Sequence, residues 1–141
     1  MEEERFIHTV ASQLGIDGEG AKKIVSAVFR ELHDRLTPHE AADAAAQMPE
    51  GLKRLWMASE FSGREVRRVH KREFVREVAE LAEIQESEAS HAVTVVFRAL
   101  QTLLKSPTGQ EGEAWHIFSQ LPKDLKKIWS DAARPQAARR L

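Results

Sequence analysis

Apolar residues recur every three or four positions through most of this chain, the spacing of helices that each bury one face. Phe6, Ile7, Val10, Ala11 and Leu14 form the first such stripe. Gly15 ends it, and Asp17 stands where it can cap the next helix. Ile24, Val25, Val28, Phe29, Leu32 and Leu36 make a second, longer stripe. Thr37-Pro38-His39-Glu40 then reads as N-cap, first helical residue and capping-box glutamate of a short alanine-rich helix reaching Met48. Pro49 opens a fourth helix, with Leu52, Leu55 and Trp56 on one face.

The same order then returns. Phe74, Val75, Val78, Ala79 and Ala82 make a first helix, Ser87 is placed to cap a second, and Val93, Val96, Phe97, Leu100 and Leu104 line it. Ser106 to Gly112 is dense in turn residues. Trp115, Phe118 and Leu121 precede Pro122, after which Leu125, Ile128 and Trp129 close the unit. Phe6/Phe74, Val10/Val78, Val25/Val93, Phe29/Phe97, Arg30/Arg98 and Leu36/Leu104 all stand 68 positions apart. After the turn-rich loop the offset becomes 73, in Pro49/Pro122, Leu52/Leu125, Lys53/Lys126 and Trp56/Trp129. A fixed period with one local insertion is the mark of a duplicated unit.

No window alternates as a strand does. The expected fold is all-α, about eight helices in two four-helix repeats related by a pseudo-twofold and sharing a core. The repeats span 1–57 and 72–131, with a basic, partly helical connector over 58–71 and a frayed tail over 132–141. The expected core is Phe6, Val10, Leu14, Ile16, Val25, Val28, Phe29, Leu32, Leu36, Leu52 and Trp56. Its counterpart is Phe74, Val78, Ile84, Val93, Val96, Phe97, Leu100, Leu104, Leu125 and Trp129.

Composition narrows the class. A hydrophobic share of 42% and a charged share of 30% are those of a globular chain. The absence of cysteine removes disulfides, thiol catalysis and thiolate metal sites, and suits a reducing compartment. No apolar run reaches the ~20 residues of a membrane helix, and Met1-Glu2-Glu3-Glu4 is acidic where a secretory signal is basic. A soluble cytoplasmic protein without a membrane partner is expected. The net charge of −1 gives a polyanion partner no support from the chain as a whole.

Candidate chemistry is sparse. Arg64, Arg67, Arg68, Lys71 and Arg72, extended by Arg76, form the densest positive stretch and could contact phosphates. Glu65, Glu73 and Glu77 interrupt it, which favours an ion-paired connecting helix. Of the six histidines, His8, His33, His39, His70, His91 and His116, none has helical metal-pair spacing, so they read as surface or capping residues and no metal or other cofactor is expected. Arg30 and Arg98 each follow a core phenylalanine; the simple reading is a stem covering the helix edge, the sharper one a pair facing a shared ligand. No nucleophile–base pair, phosphate loop or paired carboxylate emerges from spacing, so an enzyme is not expected.

The unit starts, Phe6-Ile7-His8-Thr9-Val10-Ala11 and Phe74-Val75-Arg76-Glu77-Val78-Ala79, carry a resemblance. So do the unit ends, Gln47-Met48-Pro49-Glu50-Gly51-Leu52-Lys53-Arg54-Leu55-Trp56 and Gln120-Leu121-Pro122-Lys123-Asp124-Leu125-Lys126-Lys127-Ile128-Trp129. Together they resemble the bacterial family catalogued as domain of unknown function 2267, over roughly Arg5 to Asp131. The chain departs from that family's Gly-Trp-Pro-rich connector, since Trp56 runs into Met57-Ala58-Ser59-Glu60-Phe61. The resemblance implies a small all-helical bacterial protein with no established activity and no site residue to carry over.

The functional expectation is a non-enzymatic module that binds another protein. Phe61, Trp115 and Phe118 are the candidate contacts, because none has an aromatic counterpart in the other repeat. The alternative is a polyanion or small-ligand binder that uses the basic connector or a groove between the repeats. A convergent polar pocket between the halves would favour that alternative.

Overall fold

The computed structural model describes residues 2–33, 35–36, 38–48, 50–58, 71–104 and 123–132. These residues form seven helices: α1 (Glu2–Leu14), α2 (Gly18–His33), α3 (Pro38–Ala46), α4 (Glu50–Ala58), α5 (Lys71–Ala82), α6 (Glu86–Leu104) and α7 (Lys123–Ala132). The fold is all-α, with no strand among the described residues. The expected helix around Trp115, Phe118 and Leu121, the Thr37 cap, the connector over 59–70 and the tail from 133 lie outside them.

The local signals act through identifiable hydrogen bonds. Gly15 takes a left-handed φ of 69°, which lets the Ile16 amide turn back and donate to Ala11 O at 3.1 Å. Asp17 Oδ1 then accepts the Gly20 N–H at 2.8 Å and caps α2. The α5–α6 hairpin repeats this geometry with one difference: Glu83, not glycine, takes φ 60°, and Ile84 N donates to Ala79 O at 3.0 Å. The expected Ser87 cap is incorrect. Helix α6 starts one residue earlier, at Glu86, and the Glu88 carboxylate accepts the Gln85 N–H at 3.0 Å. That carboxylate, three residues into the segment, closes the helix start from inside, leaving Ser87 in the first turn.

One buried cluster draws on both halves of the chain. Helices α1 and α2 pack together, as do α5 and α6, but α1 also packs on α6 and α2 on α5. The equivalent tryptophans close equivalent ring stacks. Trp56 meets Phe29 edge-on at 5.0 Å and Trp129 meets Phe97 at 5.2 Å, while Phe6–Phe29 and Phe74–Phe97 stand at 6.3 and 6.1 Å.

Most of the expected core is buried, with instructive differences. Ile16 is 38% exposed and does not belong to it. It follows the left-handed Gly15, so its amide is spent closing the hairpin while its side chain lies over Gly20. A Cβ on Gly20 would come within 3.1 Å of the capping Asp17 Oδ1, so no side chain there covers the isoleucine. Leu14 and Ile84 are partly buried against the cluster, and the Leu104 side chain lies outside the described residues. Among the described residues the polar residues Glu31, His33, Arg35 and Gln101 are buried as well.

Candidate functional site

Among the described residues, two of the places where the halves meet, α2 against α5 and α1 against α6, are built from positions that correspond through the 68-residue offset. They have opposite contents.

The α2–α5 junction is filled with charge. Arg35 is fully buried just beyond α2, where its amide donates to Leu32 O at 3.0 Å and tightens the helix end. Its guanidinium lies 4.8 Å from the centre of the Phe74 ring. Nη1 donates to Glu31 O at 2.7 Å and to Glu31 Oε1 at 2.9 Å, and Nη2 reaches Glu77 Oε1 at 3.5 Å. Burial pushes the Glu31 carboxyl up to about 8, helped by its hydrogen bond to Glu77 and that residue's charge; Arg35 pulls the other way. Two carboxylates beside one guanidinium cannot both ionise cheaply in this setting, so Glu31 keeps a proton at neutral pH.

Beside this cluster, His33 is buried with its ring 4.0 Å from that of Trp56. Its Nε2 lies 2.8 Å from Trp56 O. A carbonyl can only accept, so Nε2 carries the hydrogen. The Trp56 indole N–H donates to Ala41 O at 3.0 Å, tying α4 to α3. In the second half the position of His33 is Gln101, whose amide donates to Trp129 O at 2.6 Å. The reading of His33 as a surface or capping residue is therefore incorrect: it secures the backbone at the end of α4.

The α1–α6 junction holds a cleft of about 160 Å³. Helix α1 supplies Arg5, Phe6, Thr9 and Gln13, and α6 supplies Arg98, Ala99 and Thr102. Arg98 spans the junction, with Nε donating to Ala132 O at 3.2 Å and Nη1 to Gln13 Oε1 at 3.4 Å. The Thr9 and Thr102 hydroxyls donate to carbonyls four residues back, Arg5 O and Arg98 O, which turns their lone pairs outward as acceptors. A wider groove lies along α1 and the start of α2, within one half; Glu4, Asp17, Glu19 and Lys22 give it both signs of charge.

Arg64, Arg67, Arg68, Phe61, Trp115 and Phe118 lie outside the described residues, as do the side chains of Lys71 and Arg72. Arg76 is exposed on α5. Arg98 lines the α1–α6 cleft, and Arg30 is exposed on α2. His8, His39 and His91 are exposed, and His39 stands 3.3 Å from Asp43. Among the described residues no three potential ligands gather to hold a metal, and no helix is long and apolar enough to cross a membrane.

Sequence reasoning passed over Glu31 and Arg35, gave Glu77 no partner, and named a groove between the repeats without residues to line it. The available signal was the set of places where the repeat fails. Glu31 corresponds to Ala99, Arg35 to Leu103 and Glu77 to Thr9, at positions flanked by conserved spacing on both sides.

The family profile described as "Uncharacterized conserved protein (DUF2267)" matches residues 3–111. No curated protein matches the chain.

Proposed function

From the premise that this chain belongs to the family of uncharacterized conserved proteins known as domain of unknown function 2267, we propose that it is a non-enzymatic binding protein that takes a small molecule between its two halves. The observation that carries this reading is the α1–α6 cleft, left open at a junction whose counterpart is solid. Its volume of about 160 Å³ resembles the ~150 Å³ of an apolar cavity that accommodates benzene. An apolar floor with a few convergent polar groups is the usual make-up of such sites.

The reading includes two similar helical units related by a pseudo-twofold and a bacterial, cytoplasmic setting, with which the absence of cysteine agrees. The protein-docking alternative needs a continuous exposed apolar patch. Among the described residues only Ile16 and Met57 are large, apolar and exposed, and they lie on different elements.

The test is a titration of the isotope-labelled protein with neutral and charged fragments of about ten heavy atoms or fewer, followed by amide chemical shifts. Shifts should gather on residues 5–13 and 98–102 and disappear in Ala99→Leu, which fills the cleft while leaving the helices intact. Shifts scattered elsewhere, or none with any fragment, would remove the reading.

A further inference from the structure

We infer that the α1–α6 cleft takes a small monocarboxylate with a flat apolar body, its ring on Phe6 and its carboxylate between Arg5 and Arg98. This rests on the ligand-binding reading above and names the class of ligand. The argument comes from comparing the two junctions position by position. Phe6 corresponds to Phe74 and Arg98 to Arg30, so the aromatic floor and one arginine are kept. The acidic positions are not. Glu77 becomes Thr9, Glu31 becomes Ala99 and Arg35 becomes Leu103, which removes the cluster that fills the first junction, while Arg5 stands at the position of Glu73.

At α2–α5 the protein supplies its own filling. A planar guanidinium lies over Phe74, and the Glu31 carboxyl and the Glu77 carboxylate share it. At α1–α6 the space beside the equivalent ring is open, and its lining includes Arg5 and Arg98 and no carboxylate. A planar body on the Phe6 ring would restore the missing stacking contact. A carboxylate would face a guanidinium here as Glu77 does at the other junction.

The polar groups agree with that orientation. None of the salt bridges among the described residues involves Arg5. Arg98 is held to the end of α7 through Ala132 O, so its guanidinium is positioned before any ligand arrives. Its Nη1 already faces an acceptor oxygen, Gln13 Oε1, at the long distance of 3.4 Å. A carboxylate oxygen in that place would approach to about 2.8 Å, the range of a charge-assisted bond. The outward lone pairs of Thr9 and Thr102 disfavour a second anionic group deeper in the cleft, which points to one carboxylate and not two.

Benzoate, benzamide and benzamidine share one planar body and carry negative, neutral and positive charge, so they separate shape from charge. Each is titrated into the full chain with amide shifts read on α1 and α6, and acetate is run as a charge-only control. Benzoate should bind about tenfold or more tighter than benzamide, the worth of one charge-assisted hydrogen bond. Benzamidine and acetate should give no saturable shift. Arg5→Gln should weaken benzoate about tenfold with benzamide unchanged, and added salt should do the same in the wild type. Circular dichroism of Arg5→Gln checks that the fold is intact.

If benzamide or benzamidine saturates the cleft as tightly as benzoate, the carboxylate assignment falls while the ligand-binding reading stands. If acetate matches benzoate, the flat apolar body is wrong. If none of the probes shifts α1 or α6, both this inference and the ligand-binding reading fall.

Discussion

Glu31 makes this protein lose stability as pH rises through neutrality, and replacing it with glutamine removes that loss. The ordinary glutamate value is 4.5 and the folded protein raises it to about 8. Between those values the native state holds a proton that the unfolded chain has released. The stabilisation from this group is therefore complete below about 4.5, declines as pH climbs, and is gone above about 8. At roughly 1.4 kcal/mol per unit of displacement, the loss between pH 6 and pH 9 comes to about 2.5 kcal/mol. That is a large part of the ~5–15 kcal/mol that holds a domain together. Urea titrations followed by tryptophan fluorescence at four pH values would show it as a fall in midpoint of about 1 M, given a slope near 2 kcal/mol/M. In Glu31→Gln the amide keeps a hydrogen-bonding group beside Glu77 and Arg35 but has no proton to release, so its midpoint should stay nearly level. Equal slopes in the two proteins would show that the proton is not held at Glu31, and a level wild-type profile would refute the junction chemistry altogether.

Three further outcomes follow from the packing. Arg35→Ala should cost about 3–5 kcal/mol, because it strands the Glu77 carboxylate and takes the partner from the buried Glu31 carboxyl. The triple change Arg35→Leu, Glu31→Ala, Glu77→Thr, which copies the other repeat's residues, should recover most of that in the same urea assay. Glu83→Gly should raise stability by about 1 kcal/mol by relieving the left-handed backbone at φ 60°; an unchanged or lower midpoint would mean the exposed Lys23–Glu83 pair outweighs the strain. Phe97→Ala should cost about 3–5 kcal/mol in thermal unfolding, as should Phe29→Ala, since both rings are fully buried beneath their tryptophans.

Helical periodicity carried the fold because each helix buries one face and the core is nearly all aliphatic and aromatic. Proline, glycine and aspartate signals placed the hairpins for the same reason: each acts within four residues of itself. The sequence was silent where the outcome depends on partners far along the chain. Arg35 and Glu31 are neighbours at helical spacing and look like an ordinary surface pair. Only the arrival of Phe74 and Glu77, some forty positions later, buries them and raises the Glu31 carboxyl. His33 misled for a related reason, since its partner is a backbone carbonyl, which leaves no mark in the sequence. The lining of the cleft was equally hidden, because a cavity is defined by side chains that stop short, and Ala99 and Thr9 look unremarkable singly.

The crossed packing of α1 on α6 and α2 on α5 has an implication for how such a molecule can acquire a specialised site. Two separate copies of one such half, joined the same way, would carry identical residues at both junctions, and any substitution would appear twice. Opening a hole would then weaken the assembly on both sides, and adding a buried charge cluster would burden it on both sides. Joining the halves in one chain removes that coupling. One seam can be closed with Glu31, Arg35 and Glu77 while the other stays open at Thr9 and Ala99, with no matching change forced on its counterpart.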